Sequence, residues 1–392
     1  MMYRNFGFKV IHQSEEKSRV GEITTPHGKI KTPAFIFCGT KASVKGVSPQ
    51  QLIENKTQII LSNTYHLFSY PGSEHIKNRG GLHKFLGWNR PMFTDSGGFQ
   101  IFSLGHGSVA DEIKGRRSGI STLSKINEEG AIFKSYWNGS EQLLTPEKSI
   151  KVQCDLGADL IVSFDECTPY HSDKKYTEKS MERSHRWEKR SLDEFLRRND
   201  FTQALYGIVQ GGIYADFRKR SAEFVSSHPF FATAIGGTLG STKEQMYEVV
   251  EMAMNGLDIS RPIHLLGIGG IADIFRGVRL GIDTFDCVHP TRIARHGGAL
   301  VKAAFRDSTS REHINLKRAE YNEDDNPIEI DCDCSTCKTF SRAYLHYLLK
   351  AKELLAIQAI AVHNIRFMNR LMEEIRDGIF EEKLDEVERK WR

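Results

Sequence analysis

Residues 204–237, ALYGIVQGGIYADFRKRSAEFVSSHPFFATAIGG, set two short apolar runs on either side of a charged, helix-like segment, and each run closes on a pair of glycines. Short runs rich in Ile, Val, Phe and Leu, bounded by small or polar residues, read as buried strands. The same pattern recurs at 34–38 (AFIFC), 58–63 (QIILSN), 92–98 (MFTDSGG) and 160–166 (LIVSFDE), and again at 264–270 (HLLGIGG) and 284–288 (TFDCV). With 204–212 and 231–237 the total is eight. Helix-like segments lie between most of them, including SPQQLIENK after the first and TPEKSIKVQCDLGAD before the fourth, where Thr145 ahead of Pro146 and Glu147 makes an N-cap and first turn. Eight β-then-α units predict an α/β fold, a parallel (β/α)8 TIM barrel. An open Rossmann-like sheet is the alternative, but a barrel makes all its strand ends converge on one mouth where loops build a site.

The chain has 392 residues, 39% hydrophobic and 27% charged, so it is neither disordered nor membranous. No apolar run approaches the roughly 20 residues that span a bilayer, and the first segment lacks a secretory signal's apolar stretch; a cytoplasmic protein is expected. The net charge of +4 permits a polyanionic partner without demanding one. The division predicted is a catalytic barrel over 1–300, with a Gly- and Ser-rich excursion at its mouth over about 101–135, and a smaller subdomain with C-terminal helices over 301–392.

Chemistry gathers where the apolar runs close. Asp95-Ser96-Gly97-Gly98 follows the third run, Asp165-Glu166 the fourth, Gln210-Gly211-Gly212 the fifth and Gly236-Gly237 the sixth, while Asp286 sits inside the eighth. Carboxylates facing a barrel mouth cost desolvation energy and are seldom placed for packing alone. Asp286, between Phe285 and Cys287, would be poorly hydrated and nucleophilic. With Asp95 it offers what an anomeric carbon needs, one carboxylate to form a glycosyl ester and another to move protons. Asp165 could accept from two ring donors of a purine, while the Gln210 amide and a backbone N–H near Gly237 serve its carbonyl oxygen. For each residue taken alone, a cap or a tight turn competes as the explanation.

Seven cysteines are too few for a disulfide scaffold, but Cys332, Cys334 and Cys337 fall within six positions. Three thiolates so spaced suit one tetrahedral zinc ion with a structural role, the fourth ligand coming from elsewhere. His346 and His363 both compete for that place.

Together, FTDSGGFQ (93–100), FDECTPY (164–170), GIVQGG (207–212), AIGG (234–237), FDCVHPTR (285–292), the C-x-C-x2-C cluster and His363-Asn364 resemble the queuine tRNA-ribosyltransferases, the tRNA-guanine transglycosylases. The resemblance runs from about residue 6 to 376 in the family's order. It implies a TIM barrel with an inserted zinc subdomain and exchange of guanine at the wobble position of tRNAs for Asp, Asn, His and Tyr with a 7-substituted deazaguanine. It makes Asp286 the nucleophile at ribose C1′ and Asp95 the general acid/base. Asp165, Gln210, Gly237, Ser96, Cys167 and Leu266 line the base pocket, with Phe99 stacking where the family usually has Tyr. His363 becomes the fourth zinc ligand, and Arg292, Arg295, Lys317 and Arg318 hold tRNA. The resemblance also implies a homodimer joined by an aromatic cluster matching Phe340, Tyr344 and Tyr347, a stripe that reads otherwise as ordinary core.

This sequence departs from the pattern in its long excursion after Gln100 and in Thr238-Leu239-Gly240. Gly240 resembles enzymes that accept the full queuine base, whereas Cys167 matches the bacterial type that uses the aminomethyl precursor preQ1. The expected activity is preQ1 incorporation, with queuine salvage as the alternative. A catalytically silent tRNA-binding partner subunit is the rival from another class; the joint presence of Asp95, Asp165 and Asp286 argues against it.

Overall fold

The computed structural model describes residues 2–106, 123–198, 200–237, 239–306 and 311–392. The chain opens with three antiparallel strands, β1 (Gly7–Gln13), β2 (Arg19–Thr25) and β3 (Gly28–Thr32). Next come β4 (Ala34–Cys38), β5 (Ile60–Ser62) and β6 (Met92–Thr94). A second antiparallel sheet interrupts them, formed by β7 (Leu123–Ile126), β8 (Ala131–Lys134) and β9 (Glu141–Leu144). The series resumes with β10 (Leu160–Val162), β11 (Ala204–Val209), β12 (Ala232–Ile235), β13 (Ile263–Leu265) and β14 (Thr284–Cys287).

Strands β4, β5, β6 and β10 to β14 form one closed barrel in which every neighbouring pair is parallel. Phe93 pairs with Leu160 across the β6–β10 seam, and Phe285 with Phe35 where β14 meets β4. Each apolar run singled out in the sequence carries one of these strands. The expected cap forms, with Thr145 Oγ1 accepting from Lys148 N at 3.2 Å, and Ser48 with Gln51 adds a capping box on the helix Pro49–Glu54.

Ile36, Leu61, Phe93, Leu160, Val162, Tyr206, Ile208 and Ala234 fill the barrel together with Ile23 and Ile30 from the first sheet. That sheet is a floor, because its polar partners lie at the starts of barrel strands. Arg19 on β2 donates to Asp283, just ahead of β14, at 2.9 Å. His27, in the β2–β3 turn, meets Asp159, just ahead of β10, at 2.7 Å, and His83 meets the other oxygen of that carboxylate at 3.2 Å. The two imidazole planes lie 13° apart with centroids 3.6 Å apart, and this stacking on a shared carboxylate latches the floor to the wall.

Three segments differ from their sequence reading. The described part of the excursion is structured: Ala131, Phe133 and Leu144 of its sheet pack with Tyr65, Phe102, Phe164 and Trp187. Its stretch 107–122 lies outside the described residues. The closing segment EEKLDEVERKWR looks like a solvated helix end, yet Trp391 is fully buried and its Nε1 donates to Glu374 at 3.0 Å. Tyr344 and Tyr347, read as core by spacing, are 41% and 62% exposed. Beyond β14, a hairpin of β15 (Gly298–Leu300) and β16 (His313–Asn315) precedes the cysteine cluster, and the helix Leu354–Phe380 returns to pack along β4 and the floor sheet.

Candidate active site

All the expected mouth residues lie at the C-terminal ends of barrel strands. Asp286 is the third residue of β14 and is buried. One carboxylate oxygen accepts from Gly267 N at 2.9 Å and faces His264 Nε2 at 3.2 Å; the other lies 3.6 Å from the Cys38 thiol. His264 is fully buried on β13, opposite Thr284, and its Nδ1 sits 2.9 Å from the Thr284 hydroxyl. If Thr284 donates to Nδ1, the Nε2 proton points at Asp286, and the carboxylate is held by three donors, two from the end of β13 and one from the end of β4.

Asp95 follows β6. Its oxygens accept from Thr64 N and Gln100 Nε2, each at 2.8 Å, and from the Asn63 amide. Burial pushes its carboxyl above the usual range against those donors, and the charge of Asp286 adds to the push. An acid with a raised pKa facing a carboxylate held by donors is the pairing that separates proton transfer from nucleophilic attack.

Asp165, just beyond β10, is buried and accepts from Ser96 Oγ at 3.1 Å and Gln210 Nε2 at 2.6 Å. Burial raises its pKa to about 7, the two donors opposing and Asp95 adding to the rise. Gln210 Oε1 is buried without a hydrogen-bond partner, an unpaired acceptor beside the carboxylate. Gly237 explains how the chain reaches that amide: its φ is +74°, and a Cβ there would stand 2.4 Å from Gln210 Oε1. Gly98 is constrained likewise, since a Cβ would fall 2.6 Å from the Asp165 carbonyl oxygen. Leu266 packs beside Gly236, Cys167 lies two residues beyond Asp165, and Phe99, 48% exposed, stands at the start of the helix Gly98–His106.

Several supports are invisible in the sequence. Arg218 is fully buried, donating to the carbonyls of Gly212 and Gly236 at 2.7 Å and of Val209 at 3.1 Å; it ties the β11 and β12 loops together. His264, Asn63 and Thr64 hold the two catalytic candidates. His264 and Asn63 each leave a trace, as polar residues at the ends of the apolar runs HLLGIGG and QIILSN.

The four cations predicted for tRNA divide into two pairs. Arg292 and Arg295 sit on and just after the helix His289–Ala294, next to β14. Lys317 and Arg318 follow β16, where Arg318 meets Glu320 at 3.3 Å.

The cysteine cluster has a compact geometry. Sγ of Cys332, Cys334 and Cys337 lies 3.6, 3.7 and 3.3 Å from His363 Nδ1. Bonds of about 2.3 Å to sulfur and about 2.0 Å to nitrogen at a tetrahedral ion put S and N about 3.5 Å apart, so the four atoms fit such a metal. His363 Nε2 donates to Leu300 O at 2.8 Å, which leaves Nδ1 as the ligating atom. His346 is elsewhere, bonded to Leu316 O at 2.9 Å.

A family model described as "Queuine tRNA-ribosyltransferase" matches residues 14–392. Among curated proteins, the chain is 45% identical over 388 residues to a "Queuine tRNA-ribosyltransferase" of Roseiflexus sp. (strain RS-1), with 96% of each chain covered. It is 46% identical over 381 residues to the protein of that name in Protochlamydia amoebophila (strain UWE25), again with 96% of each covered. With that of Halothermothrix orenii the identity is 42% over 393 residues, covering 99% and 98%.

Proposed function

This chain belongs to the queuine tRNA-ribosyltransferase family, and on that premise we propose how its residues carry out tRNA-guanine transglycosylation. It is a pentosyltransferase acting on tRNA. The substrates proposed are the tRNAs for Asp, Asn, His and Tyr, whose guanine at wobble position 34 is replaced by preQ1.

The target nucleotide leaves its stack and presents guanine to the pocket. Asp165 accepts from the ring N–H and amino groups, Gln210 turns its amide from Asp165 to the base, the Gly237 N–H serves the carbonyl oxygen, and Phe99 stacks, with Ser96, Cys167 and Leu266 completing the walls. Asp286 attacks C1′, the bond to guanine breaks, and Asp95 gives its proton to the leaving base. The incoming deazaguanine then yields its N9 proton to Asp95 and attacks C1′, releasing the Asp286 carboxylate. Two inversions retain configuration. The observation that carries this reading is the pairing at the mouth: Asp286 held by Gly267 and His264, and Asp95 with its carboxyl raised by burial.

The incoming base is preQ1, with queuine favoured only by Gly240. That residue has φ +109° and contributes no side chain of its own, and the place a Cβ would take is already filled by the Gln245 side chain 2.7 Å away; Thr238 lies outside the described residues. Zinc at Cys332, Cys334, Cys337 and His363 is structural, because four protein ligands leave no open position. Residues 301–392 form the subdomain around it, set against a catalytic barrel over 1–300. Arg292, Arg295, Lys317 and Arg318 contact tRNA phosphates. Exposed Tyr344 and Tyr347 support a homodimer, and no described helix is long and apolar enough to cross a membrane. A competition between labelled preQ1 and queuine for tRNA tests the reading. The expected result is preferential preQ1 incorporation, lost in Asp286→Asn; incorporation of neither base by the unaltered enzyme would refute the assignment.

A further inference from the structure

Beside the base pocket, the turn joining β8 to β9 lifts two rings into solvent, Tyr136 at 40% and Trp137 at 55% exposure. Trp137 lies flat on Tyr70, centroids 3.9 Å apart and planes 19° apart, although Tyr70 is itself 52% exposed. Two large aromatic side chains stacked on each other yet left open are unusual for packing alone, since burial is what makes such rings stabilising. Tyr70 caps the helix Thr64–Ser69, whose first residue donates to Asp95. The pair therefore stands one helix of six residues, about 9 Å, from the catalytic acid.

The surroundings of this pair are cationic. Tyr136 bonds His66 Nδ1 at 3.2 Å and holds Lys41 Nζ 5.0 Å above its ring. Lys45 lies in the same field: burial and then the charges of Arg295, Lys41 and Arg292 depress its pKa. No described carboxylate forms an ion pair with any of these four cations. Arg292 and Arg295 follow the strand that carries Asp286, so a band of rings and positive charges runs along the rim from one catalytic carboxylate to the other.

We infer that the Tyr70–Trp137 pair is a stacking platform for an unpaired anticodon-loop nucleotide flanking the extruded base, with Lys41, Lys45, Arg292 and Arg295 holding the adjoining phosphates. This rests on the proposed function and extends it to a surface that the base-exchange chemistry does not use. Single-stranded RNA is the occupant the chemistry favours, because exposed rings beside cations that no described carboxylate pairs match bases joined to phosphates. An ordinary protein face offers no such run of negative charge.

The test uses the unaltered enzyme and tRNA carrying 4-thiouridine on either side of position 34, irradiated and digested. Crosslinks are expected in the peptides holding Trp137 or Tyr70; crosslinks confined to other peptides overturn the proposal. In parallel, Trp137→Ala should raise the KM for tRNA by roughly 5- to 100-fold, the range set by loss of one base–aromatic stack, with the change falling on KM rather than kcat. Trp137→Phe should recover most of the loss. A KM for tRNA within about two-fold of the unaltered value, or a change of oligomeric mass with tRNA affinity intact, also overturns it. Failure of the unaltered enzyme to exchange guanine would count against the proposed function instead.

Discussion

Asp165 shows how far a residue's chemistry is set by its neighbours. Its pKa of about 7 comes mainly from burial, so near neutral pH the empty pocket holds a substantial protonated fraction. A purine offering two donors needs the ionised form, so base binding below that value must expel a proton. Calorimetry of guanine binding in buffers of different ionisation heat should show release approaching one proton at about pH 6 and almost none at about pH 8.5; absence of release at the lower pH would contradict the assignment. His264 makes a second case. Replacing it with Phe removes one of three donors to Asp286, and losing a hydrogen bond to a charged group should lower kcat by roughly 10- to 100-fold. The KM for guanine should stay unchanged; a kcat equal to that of the unaltered enzyme would rule out the positioning role. Asp95, Asp165, Gln210 and Asp286 were legible because each closes or interrupts an apolar run, where a polar side chain needs a reason. Arg218 was not, since it sits in a charged helix, ADFRKRS, and its partners are backbone carbonyls with no sequence signature.

At the scale of elements, short buried strands were readable from composition, and helix starts from their caps, because both depend on local chemistry. The floor sheet was missed. Strand β1, GFKVIHQ, mixes polar and apolar residues on a partly exposed face, so the sheet's role appears only when Arg19 on β2 and His27 in the following turn reach Asp283 and Asp159, more than 100 residues away. The cysteine cluster is legible as a metal site, and although spacing leaves His363 and His346 both open, the family resemblance selects His363, which the structure brings to the thiols while His346 bonds Leu316 O. Since the ligands join residues 332–337 to the long helix at 363, removing the ion should loosen that helix against the barrel. A strong chelator should lower Tm and release one zinc per chain, with recovery on adding zinc back; an unchanged Tm after complete removal would deny the structural role.

For the whole molecule, eightfold β/α repetition determines most of the architecture, because strand order follows chain order once parallel crossovers keep one hand. The assembly is less legible. Spacing alone assigned Tyr344 and Tyr347 to a core, while the structure exposes them, on the face where a second copy is proposed. Light scattering at micromolar protein should give a dimer, and Tyr347→Asp should shift it toward monomer; a monomer from the unaltered chain would remove that proposal.

The proposed exchange turns on a transient ester between Asp286 and a tRNA ribose. Enzyme incubated with tRNA and a slowly transferred base, then resolved by denaturing electrophoresis, should show a protein–RNA band that chases away when preQ1 is added and that Asp286→Asn does not form. Wobble-position exchange continuing undiminished in that variant, with deamidation back to Asp excluded by mass spectrometry, would contradict it.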